Sequence, residues 1–308
     1  MKTHSRSSRF AIVSVVALAF CFHAPLHAEE KEPIDGKAYQ AAVALAEKGK
    51  YADAEKAFRA LVAARERALG AEHPDTLQSQ MGLASLLSLR GKHTESEAMH
   101  RAVLVVKERV LGPEHQETLK SRGNLATLLA LEGKSDEAEK EYRTLIPIEE
   151  RLLGAEHPDT LSDRFNLAVT LIARDKSPDA EKEFRAVLAI RERVDGAESQ
   201  QTLQIRAMLA KALLHQGKNM EAERELRAII PIQERVVGAE HPDVSASCIN
   251  LALCLERQNK FKEALEFAKR AEAGCRKALG AEHQESKFAK GVRERIEAAL
   301  KKQQADAI

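Results

Sequence analysis

Leu69-Gly70-Ala71-Glu72-His73-Pro74-Asp75-Thr76-Leu77 returns as Leu153-Gly154-Ala155-Glu156-His157-Pro158-Asp159-Thr160-Leu161. The glycine of that stretch also recurs at Gly112, Gly196, Gly238 and Gly280, each step being 42 residues. A second marker, Gly-Lys, stands in constant register at Gly49, Gly91, Gly133 and Gly217. A fixed period of this length marks stacked supersecondary units, each burying its apolar face on its neighbours.

Every period divides into two helices. Helix A opens at the His-Pro-Asp segment, where proline bars helix before it and Asp or Thr is expected to cap the free amides. It ends at Gly-Lys, where glycine accepts a left-handed backbone. Helix B runs from there to the next Leu-Gly. In helix A, Leu83, Leu125, Leu167, Leu209 and Leu251 are each followed by an alanine and, four on, by another leucine. Positions i, i+1 and i+4 share one helix face, and the constant alanine lets a partner helix approach closely. In helix B, Ala54, Ala138 and Ala180 are followed four residues later by Phe58, Tyr142 and Phe184. Pro147 and Pro231 fall inside helix B and are expected to kink it.

A small residue in helix A, then alanine and an aromatic in helix B, resembles the tetratricopeptide repeat. The 42-residue period, Leu-Gly-x-Glu-His-Pro-Asp between units and Asn-Leu-Ala inside helix A resemble its kinesin light chain variety, here in a bacterial exported form. The resemblance covers about residues 37–290. It implies an all-α fold, a right-handed α-solenoid of helix–turn–helix repeats with a C-terminal capping helix. Six repeats are expected at 37–69, 75–111, 117–153, 159–195, 201–237 and 243–279. A helix at 284–302 would close the exposed end of the sixth. Residues 29–36 read as a polar lead-in and 303–308 as a frayed tail.

Composition narrows the function. Aromatic residues are only 4%, and Ala and Leu dominate an apolar share of 44%, which favours closely packed helices over sheets. The first 28 residues hold Lys2, Arg6 and Arg9 and no acid, followed by an apolar run from Phe10 to Phe22 and a small residue at Ala28. That pattern reads as an export signal, expected to be cleaved near Ala28 to leave a periplasmic or secreted chain that meets the membrane only through the signal, with an uncleaved interfacial anchor as the alternative. Without those residues the formal charge falls from +1 to −2. Such a charge offers no basic footprint for nucleic acid. Cys248, Cys254 and Cys275 are too few and too clustered for a disulfide framework. Cys248 with Cys275 is the one intrachain pair within reach, and free buried thiols are the expected state.

No phosphate-binding glycine loop, metal-binding His-Glu-x-x-His or nucleophile elbow is present. The loop histidines His73, His115, His157, His241 and His283 recur one per unit. Stacked units stand about 10 Å apart, so one metal cannot bridge equivalent histidines. No catalytic residue, cofactor or metal is therefore expected. The residue before each core leucine, taken at 100° per residue, points away from the core; it is Gly82, Asn124, Asn166, Met208 or Asn250. An Asn amide both donates and accepts, as the backbone of an extended peptide requires. In the resembled family this Asn lines the concave groove and plays that part; a hydrogen-bonding ladder between repeats is the other reading. The candidate groove adds Met81, Thr127, Phe165, Val169, Ile172, Lys211 and Ile249, with an apolar patch at Phe165, Val169 and Ile172. Arg122, Arg164 and Arg206 read as structural partners of carboxylates. The chain is thus expected to be a scaffold holding a protein or extended peptide. A self-assembling part of a cell-envelope complex is the alternative, an enzyme a remote one, and the oligomeric state stays open.

Overall fold

The computed structural model describes residues 36–306. The expected export signal with its expected cleavage point at Ala28, nearly all of the expected lead-in and the last two residues lie outside that range. Among the described residues there are thirteen α-helices and no strand. The fold is all-α, a solenoid of helix–turn–helix units.

The A helices are α1 (Gly36–Glu47), α3 (Pro74–Leu89), α5 (Gln116–Leu131), α7 (Pro158–Ala173), α9 (Gln200–His215) and α11 (Pro242–Arg257). The B helices are α2 (Tyr51–Leu69), α4 (His93–Val110), α6 (Ser135–Leu152), α8 (Ser177–Val194), α10 (Asn219–Val237) and α12 (Phe261–Leu279), and α13 (Gln284–Asp306) follows. Five A helices are 16 residues long, about 24 Å each. The final helix continues beyond 302 to Asp306 and packs a face of Ser286, Ala289, Val292 and Ile296 against α12 and α11. Helices α6 and α10 run through Pro147 and Pro231 without interruption. Residues 36–163 form one compact unit and 164–306 a second, the division falling within α7.

Leucine and alanine make the core in both units. Leu83, Leu125, Leu167, Leu209 and Leu251 are buried, and the alanines that follow them are all fully buried. Ala54, Ala138, Ala180, Ala222 and Ala264 of the B helices are equally enclosed. Ser96 takes the place of that alanine in α4, and its hydroxyl donates to the Ala84 carbonyl at 2.7 Å, so the substitution leaves no orphaned donor.

The turns explain the two sequence markers, with one correction. The cap of helix A is the histidine rather than Asp or Thr: Nδ1 of His73, His115, His157 and His241 accepts the amide two residues on, each at 3.2 Å. His283 does the same for Glu285 at 3.3 Å. The threonine has another use, since Thr76 and Thr160 donate to the carbonyls of Gly70 and Gly154 at 2.8 and 3.0 Å and tie the loop shut. At the other turn the lysine amide closes a left-handed cap on the carbonyl five residues back, as in Lys92 to Leu87 at 2.9 Å. The glycine at that turn has φ between 72° and 77°, and where the register holds Asp175 and Asn259 the backbone keeps the same twist, at 58° and 60°. The lysine side chain then reaches back 37 residues to a glutamate on the preceding B helix: Lys92 to Glu55 at 2.8 Å, Lys218 to Glu181 at 2.8 Å, Lys260 to Glu223 at 3.0 Å. Hydrogen bonds from Lys92, then Arg59 and Arg90, hold Glu55 down at about 2 against the opposing pull of burial.

Candidate functional site

An A helix such as α3, α5, α9 or α11 is covered by its own B helix, by the preceding one and, for α1 with α3 and α9 with α11, by the next A helix. Only a narrow stripe of it reaches solvent. That corrects the expected apolar patch: Val169 is 3% and Ile172 2% exposed, so both are core. Met81, Thr127 and Ile249 are buried for the same reason. Thr127 is occupied as well, its hydroxyl bonded to the Gly123 carbonyl at 3.0 Å and to the Tyr142 hydroxyl at 2.7 Å. A single-helix projection places these residues off the leucine face but takes no account of the second and third neighbours.

Five expected residues remain half-buried: Asn124, Phe165, Asn166, Lys211 and Asn250. In the unit 36–163, Asn124 stands on α5 beside buried Gly123 and Leu125, and its amide makes no hydrogen bond among the described residues. The equivalent place on α3 is Gly82, where a Cβ would lie 2.7 Å from Cε1 of Phe58. An asparagine there would displace the ring, so the row of amides cannot extend into α3.

In the unit 164–306, α7 carries Phe165 and Asn166, α9 carries Lys211, and α11 carries Asn250. Phe165 meets Phe184 of α8 edge-on, with ring centroids 5.6 Å apart at 66°. Met208, at the register of the asparagines, is buried. The Asn250 amide, like that of Asn124, makes no hydrogen bond among the described residues. Among the described residues Lys211 has no carboxylate in salt-bridge range; burial lowers its pKa to about 8, with Glu285 pulling the other way. Burial, then Lys211 and Arg257, also lower His215. Arg257 is held by the Leu214 carbonyl. Lys211, His215 and Arg257 thus form a small basic cluster on two neighbouring A helices, of which the sequence pattern points only to Lys211; His215 and Arg257 stand one repeat apart at one register.

The arginine ladder is structural. Arg122 bonds Glu108 at 2.6 Å, Arg164 bonds Glu183 at 2.8 Å and Arg206 bonds Glu225 at 2.9 Å. The loop glutamates take the arginines of the Glu-Arg pairs, as in Arg151 with Glu114 at 2.5 Å. A cavity of about 320 Å³ between α8, α9 and α10, lined by Arg185, Glu192, Arg206 and Glu225 among others, contains none of the expected site residues. Among the described residues no cluster of His, Cys, Asp or Glu is placed to hold a metal, and no helix is long and apolar enough to cross a membrane. Cys248, Cys254 and Cys275 are free and buried, and burial pushes the thiols of Cys248 and Cys254 up to about 12.

The tetratricopeptide repeat family model matches residues 36–104, 78–148, 123–193 and 201–277. Among solved structures, the TPR-like repeats of a kinesin light chain-type protein from Podosopora anserina are 27% identical, with a TM-score of 0.59 over 68% of this chain and 99% of that one. BtubC (BKLC) from P. vanneervenii is 20% identical, with a TM-score of 0.59 over 82% and 94%. NprR in complex with its cognate peptide NprX is 11% identical, with a TM-score of 0.60 over 90% and 79%. The last two likenesses bear on the fold alone. No curated protein matches the chain.

Proposed function

Because the chain belongs to the tetratricopeptide repeat family, we propose that it is a non-catalytic scaffold that holds an extended peptide segment of a partner protein on its A helices. Asn166 and Asn250, with Lys211 between them in repeat order, are the residues assigned to that contact in the unit 164–306, and Asn124 is their counterpart in the other unit. The observation that carries the reading is the state of the asparagines. Three amides recur at one register on helices that are otherwise core, half-buried, with those of Asn124 and Asn250 unengaged among the described residues. Each such amide offers both a donor and an acceptor, the pair that the backbone of an extended peptide requires. NprR, of similar fold, is solved with a peptide bound. The chain is further proposed to work outside the cytoplasm after cleavage near Ala28, on the strength of the leader described above.

The test is selection of binders from a displayed library of random peptides against the full chain, followed by titration of a selected peptide into N166A/N250A. A loss of tenfold or more with unchanged helicity is expected. Unchanged affinity would move the site elsewhere. An oligomer in which these asparagines are covered, seen by light scattering and amide exchange, would favour the self-assembly reading.

A further inference from the structure

Residue 65 and its successors at 42-residue steps are Arg65, Lys107, Glu149, Arg191, Gln233 and Cys275. In the first two repeats this B-helix seat holds a buried cation that fastens the start of the next A helix. Arg65 Nη1 donates to the Asp75 carbonyl at 2.7 Å and to Ser79 Oγ at 2.8 Å. Lys107 Nζ donates to the carbonyl and the carboxylate of Glu117, both at 3.2 Å. The A-helix residue at the seat is Ser79 in one case and Ser121 in the next.

The third repeat breaks this arrangement on both sides at once. The cation becomes Glu149, 1% exposed, and the serine becomes Asp163, 8% exposed. The two carboxyl side chains hydrogen-bond to each other. Two carboxyls can do so only while one of them keeps a proton. Space for the second acid is made on α5: Asp163 Oδ2 lies 2.7 Å from where a Cβ on Gly123 would stand, so any side chain there would push it out. The other Glu149 oxygen, Oε2, is buried without a partner among the described residues. The charge that acts on the pair comes from Asp159 of α7, also an acid; His157 Nδ1 stands 3.8 Å from the Asp159 carboxylate, and α5 presents Gly123. No cation compensates the pair among the described residues.

We propose that Glu149 and Asp163 form a proton-held latch: the shared proton docks the first turns of α7 onto α6 and α5, and its loss releases them. The same helix carries Phe165 and Asn166 immediately beyond the latch.

The direction with pH follows from the pair's surroundings. Burial, then the charge of Asp159, pushes Glu149 up to about 7, and burial, then Glu149 and Asp159, raises Asp163 well above the usual carboxylate range. Unfolded carboxyls titrate near pH 4. The docked form therefore binds the extra proton, and docking is unaffected below about pH 4 and weakens as the pH rises toward 7 and beyond. Each excess proton changes the opening equilibrium by about tenfold per pH unit.

The experiment is amide hydrogen exchange of the full chain, read on peptides spanning 145–163 from pH 5.5 to 8 and corrected for the intrinsic pH dependence of exchange. Wild type should open about tenfold more per pH unit between 5.5 and 7. The double variant E149K/D163S, which restores the pairing of the second repeat, should show no such slope in that segment. Peptides from 74–89 serve as the internal reference and should stay flat in both proteins. If the double variant does not fold, carbonyl NMR titration of Asp163 in wild type decides, a midpoint above 6 supporting the latch and one near 4 overturning it. Equal slopes in wild type and variant, a flat wild type, or a slope abolished by calcium and restored by a chelator would each overturn the proposal, the last by assigning the acids to a cation.

Discussion

Phe58 and His100 occupy the same seat in successive B helices, 42 residues apart, and both are fully buried. Phe58 is at home there: its ring meets Tyr39 edge-on at 5.6 Å, and Gly82 makes room for it on α3. His100 fills the same place with two ring nitrogens that find no partner among the described residues, and burial drives its pKa down to about 4. In the first four repeats the seat holds a flat ring, Phe58, His100, Tyr142 or Phe184, while Leu226 and Ala268 take it in the last two, so shape there outranks chemistry only in the first four. The unpartnered nitrogens cost about 1–3 kcal/mol at any pH, and the cost grows when the pH makes the imidazole charge.

The largest effect should come from emptying the better seat. Phe58→Ala leaves a cavity between α1, α2 and α3, and a loss of about 3–5 kcal/mol is expected by urea unfolding. Filling the space opposite is the next way to break it. Gly82→Asn would put a Cβ at 2.7 Å from the Phe58 ring, and a destabilisation of about 1–3 kcal/mol is expected, with the Phe58 ring turned away from Tyr39 in a crystal structure of the variant.

The comparison is sharpened by exchanging the residues. Neutral His100 is favoured in the folded chain, so its contribution is intact above about pH 6.5 and is lost as the pH falls from there toward 4. His100→Phe should therefore flatten the acid limb of a melting-temperature profile, with the gain over wild type growing between pH 6.5 and 4. Phe58→His should give the first repeat the sensitivity the second has. Equal acid limbs in wild type and H100F would show that the imidazole finds a partner in solution. The smallest of these effects belongs to the turns: His73→Ala removes one cap and should cost about 1 kcal/mol, while His73→Ser, copying the cap of Ser199 on Thr202 at 3.1 Å, should cost less. Both would be read from chemical denaturation at pH 7.5.

Much of the fold was legible because period and core coincide. Leu83 and Leu125 share a face with the alanines that follow them, and spacing alone reveals it. Asp175 and Asn259 were within reach of the same counting, since they stand where Gly133 and Gly217 stand, but a search for glycine passes over residues that also tolerate the left-handed turn. The capping role of His73 was hidden by a stronger habit of Asp and Thr. Val169 and Ile172 were misplaced because exposure on an A helix depends on several neighbours and a helical wheel knows only one. Nothing in the sequence joins Glu149 to Asp163: each is an ordinary surface residue type, and only the packing of α6, α7 and Gly123 makes them a buried pair. Of the candidate site, the asparagine row was readable from register, while its basic neighbours His215 and Arg257 emerged from the packing of α9 on α11.

The central claim is that the partner lies on the A helices and leaves the B helices bare. It is tested most directly by replacing Phe165 on α7 and, separately, Met220 on α10, which is 79% exposed, with a photo-reactive phenylalanine analogue in the full chain. A selected peptide should cross-link from position 165 and leave position 220 unlabelled. Cross-linking from 220 with none from 165 would contradict the account.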